Sequence, residues 1–168
     1  LKRLFGFKRM ANFKDVMRLF NKFTQASNET VMDSLYRWLF DQLSINGLTL
    51  DLDSTVMTRY GAQEGAARGY NRAKRGRVSH HPLMAFVADT RMIANCWLRP
   101  GNSSSANNVQ AFLANTLHRL SGKHVSLLRA DSGFSDSAFL DHLDQQPFHY
   151  IIALRQNQPL QRALVDTS

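Results

Sequence analysis

Between Leu48 and Asp53 apolar and polar side chains alternate one for one. Leu48, Leu50 and Leu52 share one face of an extended chain, and Thr49, Asp51 and Asp53 share the other, which predicts a strand over residues 48–57. A chain built around such a strand must supply a core for the leucines and a use for the aspartates, which strands ordinarily disfavour. The supply is adequate. The 168 residues are 43% apolar, 10% aromatic and only 20% charged, a balance that excludes disorder over most of the length.

Further elements follow from the same kind of pattern. Residues 11–25 and 28–43 read as two helices, the second carrying Val31, Leu35, Trp38 and Leu39 at helical spacing, with Ser27 or Asn28 as its cap. Trp38 is assigned to packing. Asn46-Gly47 stops the helical pattern. The run Leu83 to Ala88 is continuously apolar, as in a strand buried on both faces, and Asp89-Thr90-Arg91 joins it to a strand over 92–98. A serine in the loop after Pro100-Gly101-Asn102 can cap a helix over 105–120, which Gly122 ends. A strand over 125–130, a helix over 136–145 and a strand over 149–154 complete the series. Two leading helices and then β-β-β-α-β-α-β predict an α/β protein with a mixed sheet. That order is the one found in the ribonuclease H-like fold. The division expected is a basic helical segment, residues 1–47, and a catalytic core, residues 48–168.

Charge is concentrated in two places within a formal excess of +8. Lys2, Arg3, Lys8, Arg9, Lys14, Arg18 and Lys22 face only Asp15 in the first segment. There a solvated surface and a polyanion partner stand as equal readings. Arg59, Arg68, Arg72, Lys74, Arg75 and Arg77 face only Glu64 in the second, among glycines and beside Tyr60 and Tyr70. With no helical or strand period, this segment reads as a flexible loop able to lie along phosphates and stack on bases, so nucleic acid is the expected partner.

Other chemistries are excluded. One cysteine, Cys96, permits neither an internal disulfide nor a cysteine-rich zinc site, and the expected compartment is a reducing one, the cytoplasm. No apolar run is long enough for a membrane span, and Leu1 to Met10 lack the apolar centre of a secretory signal. Residue 1 is Leu, so a processed product, an excised domain and an incomplete reading frame all stand open. None of His80, His81, His118, His124, His142 and His149 has zinc-ligand spacing, and all six read as surface or packing residues. Ser132-Gly133 is not a nucleophile elbow, and no phosphate-binding glycine loop occurs. Asp136 and Asp141 suit a helix start without any function.

Asp53 and Asp131 remain. In a ribonuclease H-like sheet their strands run side by side, and two carboxylates so placed repel unless a cation lies between them. Mg²⁺ suits such oxygen ligands, and a metal pair can activate water or a hydroxyl and stabilise the leaving oxygen of a phosphodiester. Spacing alone leaves open that both are ordinary strand-end aspartates.

The residues also carry a resemblance. Leu50 to Val56, Tyr60-Gly61-Ala62-Gln63-Glu64-Gly65 and Gly69-Tyr70-Asn71 look like the opening block of DDE-class insertion-sequence transposases. His81-Pro82-Leu83, Leu98-Arg99-Pro100-Gly101-Asn102, Arg129 to Phe134 and Tyr150-Ile151-Ile152 continue it in the right order over roughly residues 48–155. The resemblance implies that Asp53 and Asp131 are the first two catalytic acids and bind a divalent metal, Mg²⁺ or Mn²⁺. Asp51 resembles a common neighbour with a supporting role. It also implies double-stranded DNA at element ends as the partner, gripped by Arg59, Arg68, Tyr70, Arg72, Lys74, Arg75 and Arg77, and a homo-oligomer on that DNA.

One departure stands out. The family's third acid is a glutamate on a helix after the last core strand, whereas Glu29 and Glu64 are the two glutamates here and both precede Asp131. The core therefore stops short of the third acid. Glu64 reads as a surface partner of the arginines around it. The leading function is metal-dependent cleavage and transfer of DNA phosphodiesters. The alternatives are a catalytically inactive DNA-binding remnant and a nuclease of the same fold unrelated to transposition.

Overall fold

The computed structural model describes residues 11–45 and 47–155 together with Gly6, Lys8, Arg9, Gln158 and residues 160–162. Lys2, Arg3, Asn46 and the tail from 163 lie outside the described residues. Two helices lead, α1 (Phe13–Phe20) and α2 (Gln25–Asp41). Each is opened by a reciprocal cap: Asn12 with Asp15, and Thr24 with Ser27. Ser27 is thus the third residue of α2 and not its cap. The Thr24 hydroxyl reaches the Ser27 amide, and the Ser27 hydroxyl takes the Thr24 amide, so the helix starts earlier than its apolar pattern does.

Strands β1 (Leu48–Ser54), β5 (Leu83–Val87), β6 (Met92–Trp97), β7 (Val125–Ala130) and β8 (His149–Ile152) form one mixed sheet in the order β6-β5-β1-β7-β8. β5 is antiparallel to β1 and β6 to β5, whereas β7 is parallel to β1 and β8 to β7. Helix α3 (Val109–Arg119) precedes β7 and α4 (Ser137–Leu143) precedes β8, which is the crossover that parallel neighbours require. The core lies on the leucine face: Leu48, Leu50 and Leu52 pack with Val109, Phe112 and Leu113 of α3, Phe139 of α4 and Phe40 of α2. The opposite face of β5 is only half-covered at Met84 and Phe86, so that strand is not buried on both sides. Among the described residues no helix is long and apolar enough to cross a membrane.

Three further expectations are corrected by polar contacts. Helix α2 turns its Asp33–Tyr36–Phe40 face inward, not Val31–Leu35–Trp38. Phe40 is fully buried, Tyr36 stacks on it, and Asp33 takes a 2.7 Å hydrogen bond from Arg119 Nε. Trp38 is left 60% exposed and is no packing residue. Arg119 also donates to Asn95 Oδ1, and Asn95 Nδ2 donates to Thr116 Oγ1, so a satisfied buried polar network sets the rotation of α2. Helix α3 starts at Val109 with no serine cap. The backbone carbonyls of Ser104 and Asn107 are held by Arg99, which keeps that stretch out of the helix, and Asn108 enters it with φ of 57°.

The third correction concerns the basic segment. Strand β1 ends at Ser54, and β2 (Met57–Thr58), β3 (Ala67–Arg68) and β4 (Val78–His80) make a separate small sheet in the order β2-β4-β3. Buried Asn71 pins its long loop, donating to Thr58 Oγ1 and accepting from the Lys74 amide, each at 2.8 Å. The segment is therefore built, not a flexible loop without period. Two glycines let it lie against the main body. A Cβ on Gly101 would fall 2.5 Å from the Ala67 and Ser79 carbonyls, and one on Gly69 would fall 1.9 Å from the Gly101 carbonyl.

Candidate active site

β1 and β7 run parallel with Asp51 beside Arg129 and Leu52 beside Ala130. One step further along each strand come Asp53 and Asp131, at the carboxyl ends of adjacent parallel strands, where open α/β sheets gather their ligands. Both side chains are exposed. Each has one oxygen already held: the Ser54 amide donates to Asp53 Oδ1 at 2.7 Å, and the Gly133 amide to Asp131 Oδ1 at 2.9 Å. The second bond belongs to a single 3₁₀ turn, Ser132–Phe134, that follows β7 at once and was not expected. Gly133 suits that turn because a Cβ there would press on Ser105 Oγ at 2.8 Å. Among the described residues neither Oδ2 takes a hydrogen bond, so each carboxylate keeps an oxygen for a hard cation.

That donor set fits one divalent ion in part and two poorly. Among the described residues no three His, Cys, Asp or Glu side chains gather where they could hold a metal, so neither Asp51 nor Glu64 completes a triad with the pair. Asp51 is engaged elsewhere: Arg129 Nε and a terminal nitrogen donate to its two oxygens at 2.7 and 2.8 Å. The same contact pushes the Arg129 pKa up. Asp136 caps α4 through the Phe139 amide, as a helix-start acid should, whereas Asp141 sits within α4.

Of the paired histidines, His80 is a buried packing residue, accepting from Arg59 Nε at Nδ1 and donating to the Glu64 carbonyl from Nε2. His81 is neither surface nor plain packing. Its Nε2 lies 2.6 Å from Ser54 Oγ and its Nδ1 2.5 Å from the Ser103 carbonyl. Arg99 Nε donates to the His81 carbonyl and its Nη2 to Ser54 Oγ. Burial pushes the Arg99 guanidinium pKa down. Ser54, His81 and Arg99 each lie in a block that carries the family resemblance, but no periodicity marks them as neighbours of Asp53.

Arg68, Tyr70, Arg72, Lys74, Arg75 and Arg77 are exposed on the small sheet and its loop, with Tyr70 79% exposed and Arg77 5.9 Å above the Tyr60 ring. Arg59 is half-buried and spends its Nε on His80. A cleft of about 730 Å³ opens elsewhere, between α2, β6 and α3, and includes neither Asp53 nor Asp131 in its lining.

The family model described as the transposase DDE domain, group 1, matches residues 1–168. The chain belongs to the DDE transposase family. Domains of this family generally use divalent metal ions. No curated protein matches the chain in sequence. Among solved structures, the DDE domain is similar in fold to a piggyBac transposase synaptic complex with hairpin DNA, at 17% identity and a TM-score of 0.51. The match covers 79% of this chain and 28% of that one. A Mos1 transposase paired-end complex matches at 12% identity and a TM-score of 0.46, over 80% of this chain and 51% of that one. The Drosophila P element transposase strand transfer complex matches at 16% identity and 0.35, over 96% of this chain and 45% of that one. The DDE domain thus spans little more than a quarter to about half of those chains.

Proposed function

We propose that the chain is the core of a DNA transposase in which Asp53 and Asp131 hold Mg²⁺ or Mn²⁺ for phosphodiester cleavage and strand transfer. The observation that carries this reading is the parallel pairing of β1 with β7, which sets Asp53 and Asp131 one position beyond Leu52 and Ala130 on neighbouring strands, each with one oxygen left unbonded among the described residues, in a chain of the DDE family. The sheet order β6-β5-β1-β7-β8, antiparallel on one side of β1 and parallel on the other, supports a ribonuclease H-like core over 48–168. Residues 1–47 are then a helical extension, docked by Phe40 and by the Asp33–Arg119 pair.

When bound, a divalent ion would activate water or a hydroxyl and stabilise the departing oxygen. The Ser54 and Gly133 amides each hold one oxygen of the two acids, which leaves the other oxygen of each for a ligand. Arg68, Arg72, Lys74, Arg75 and Arg77 meet the phosphates of double-stranded element ends, and exposed Tyr70 is free to stack on a base. Arg59 serves this surface mainly from within, by fixing His80. A homo-oligomer on the DNA and a cytoplasmic location belong to the same reading.

With both glutamates ahead of Asp131, no glutamate of the 168 residues stands where the family's third acid would anchor a second ion. They therefore bind DNA and one metal yet cleave negligibly alone, which is also where an inactive DNA-binding remnant would stand. A strand-cleavage assay in Mn²⁺ separates the readings. It compares this chain, a chain extended through a downstream glutamate helix, and the extended chain with that glutamate changed to Gln. Cleavage by the extended chain alone supports the transposase core. Cleavage by none of the three supports the remnant, and robust cleavage by the 168 residues refutes the missing-ligand account.

A further inference from the structure

We propose that His81 and Arg99 form a clamp on Ser54 that fixes the orientation of the Asp53 carboxylate as a metal ligand. The proposal rests on the reading of Asp53 and Asp131 as a metal site, and it makes Ser54, His81 and Arg99 positioning residues. Arg99 is 6% exposed and forms no ion pair among the described residues. Its guanidinium donates instead to the carbonyls of His81, Ser104 and Asn107 and to Ser54 Oγ. A buried charge without a counter-ion is costly. Here it gathers three separate segments around the residue that follows Asp53.

The protons on His81 follow from its partners. The Ser103 carbonyl only accepts, so Nδ1 carries the hydrogen and Nε2 of the neutral ring keeps its lone pair. Ser54 must then donate its hydroxyl proton to Nε2 while its oxygen accepts from Arg99. The hydroxyl is held from both sides, and Ser54 cannot rotate freely. Its amide is the group that holds Asp53 Oδ1. The chain of contacts runs from two buried anchors through one serine to one oxygen of the acid. Partners that orient a metal ligand from behind are commonly worth 10–100-fold in metal affinity.

The test is a calorimetric titration of this chain with Mn²⁺, alongside its thermal unfolding. His81→Asn places an amide donor where Nδ1 stood and keeps the Ser103 bond, but nothing reaches Ser54. His81→Gln carries its amide oxygen to the place of Nε2 and keeps the Ser54 bond. We expect His81→Asn and Ser54→Ala each to weaken Mn²⁺ binding about tenfold, and His81→Gln to stay within about twofold of the unaltered chain. The double variant His81→Asn with Ser54→Ala should be no weaker than either single one, because both cut the same chain of contacts. Asp53→Asn is the control for the underlying reading. If Asp53→Asn abolishes binding while His81→Asn leaves it unchanged, the metal site stands and the clamp is wrong. Equal losses in His81→Asn and His81→Gln, in step with a fallen unfolding midpoint, also overturn the clamp. No Mn²⁺ binding by the unaltered chain, or binding untouched by Asp53→Asn, removes the metal reading and the clamp with it.

Discussion

The end of the main sheet and the small basic sheet lie next to each other but are held by different means. At β1 and β7 the acids sit at the tips of strands whose other faces are buried, so their separation is set by backbone pairing and by a core of leucine and phenylalanine. In β2–β4 the arginines and Lys74 stand on short strands and an exposed loop, tied down by Asn71, His80 and two glycine contacts. Geometry built from the core is rigid and intolerant of lost volume. A surface built from charge works by how many cations it offers and tolerates change at any one. The first arrangement suits chemistry, where small displacements matter, and the second suits a polyanion that is met along its length.

The largest effect should come from the core beneath the acids. Leu50 is fully buried between β5 and β7, so Leu50→Ala should cost about 2–5 kcal/mol through lost burial and an unfilled cavity. Chemical denaturation at fixed pH measures it. A loss no larger than that of a surface change would mean the acids do not rest on a packed core.

A second change probes the junction itself. Gly101 admits the small sheet because it has no side chain: an added Cβ would lie 2.2 Å from Ser79 Oγ and 2.5 Å from two backbone carbonyls. Backbone cannot swing aside as a flexible side chain can, so Gly101→Ala should cost about 1–3 kcal/mol. It should also weaken DNA binding although it removes no charge. Unchanged DNA affinity with the stability lost would show that the basic sheet acts independently of its seat on the core.

These contrasts track what was legible in the sequence. The main strands follow from burial patterns that local sequence carries: β1 from its leucines, and β7 over the very residues anticipated, Val125 to Ala130. The acid pair followed from the order of elements together with the family's motifs. The small sheet was not legible, because β2 and β3 are two residues each and too short to show a period. The inward face of α2 departs from its apolar pattern for another reason. Its rotation is decided by Asp33 meeting Arg119, a contact 86 residues away in the chain that no helical pattern records. Ser54, His81 and Arg99 stand in motif blocks, but their meeting is hidden on the same ground, since it needs β1, the turn before β5 and the loop after β6 brought together.

A third prediction should leave stability alone. Arg72 and Arg75 are exposed, so removing both should move the unfolding free energy by less than about 0.5 kcal/mol each. Binding to double-stranded DNA should respond. If each arginine neutralises one phosphate, the slope of log affinity against log salt should flatten by up to about 2 units, with sequence preference nearly unchanged. An unaltered slope would move the DNA contact away from this loop. Lys14, Arg18 and Lys22 near α1 would then be the cations to test.

The smallest effect is the one whose sign matters most. Asp53→Asn keeps the volume of the side chain, and the amide oxygen can still accept from the Ser54 amide as Oδ1 does at 2.7 Å. What it removes is one of two negative charges at neighbouring strand ends. Without metal those charges repel, and the neutral residue relieves the repulsion. Both groups are exposed, so water and salt weaken the gain, and the unfolding midpoint of the metal-free chain should rise by only about a degree. Added Mn²⁺ should reverse the ranking, because a ligand that binds only the folded state stabilises the unaltered chain and finds one acid fewer in the variant. Differential scanning calorimetry with and without Mn²⁺ gives both halves of the comparison. A variant less stable than the unaltered chain in the absence of metal, and equally responsive in its presence, would make Asp53 a structural residue. A crossing of the two curves on adding metal would identify the charge itself, held at a cost to the empty fold, as the property that this strand end preserves.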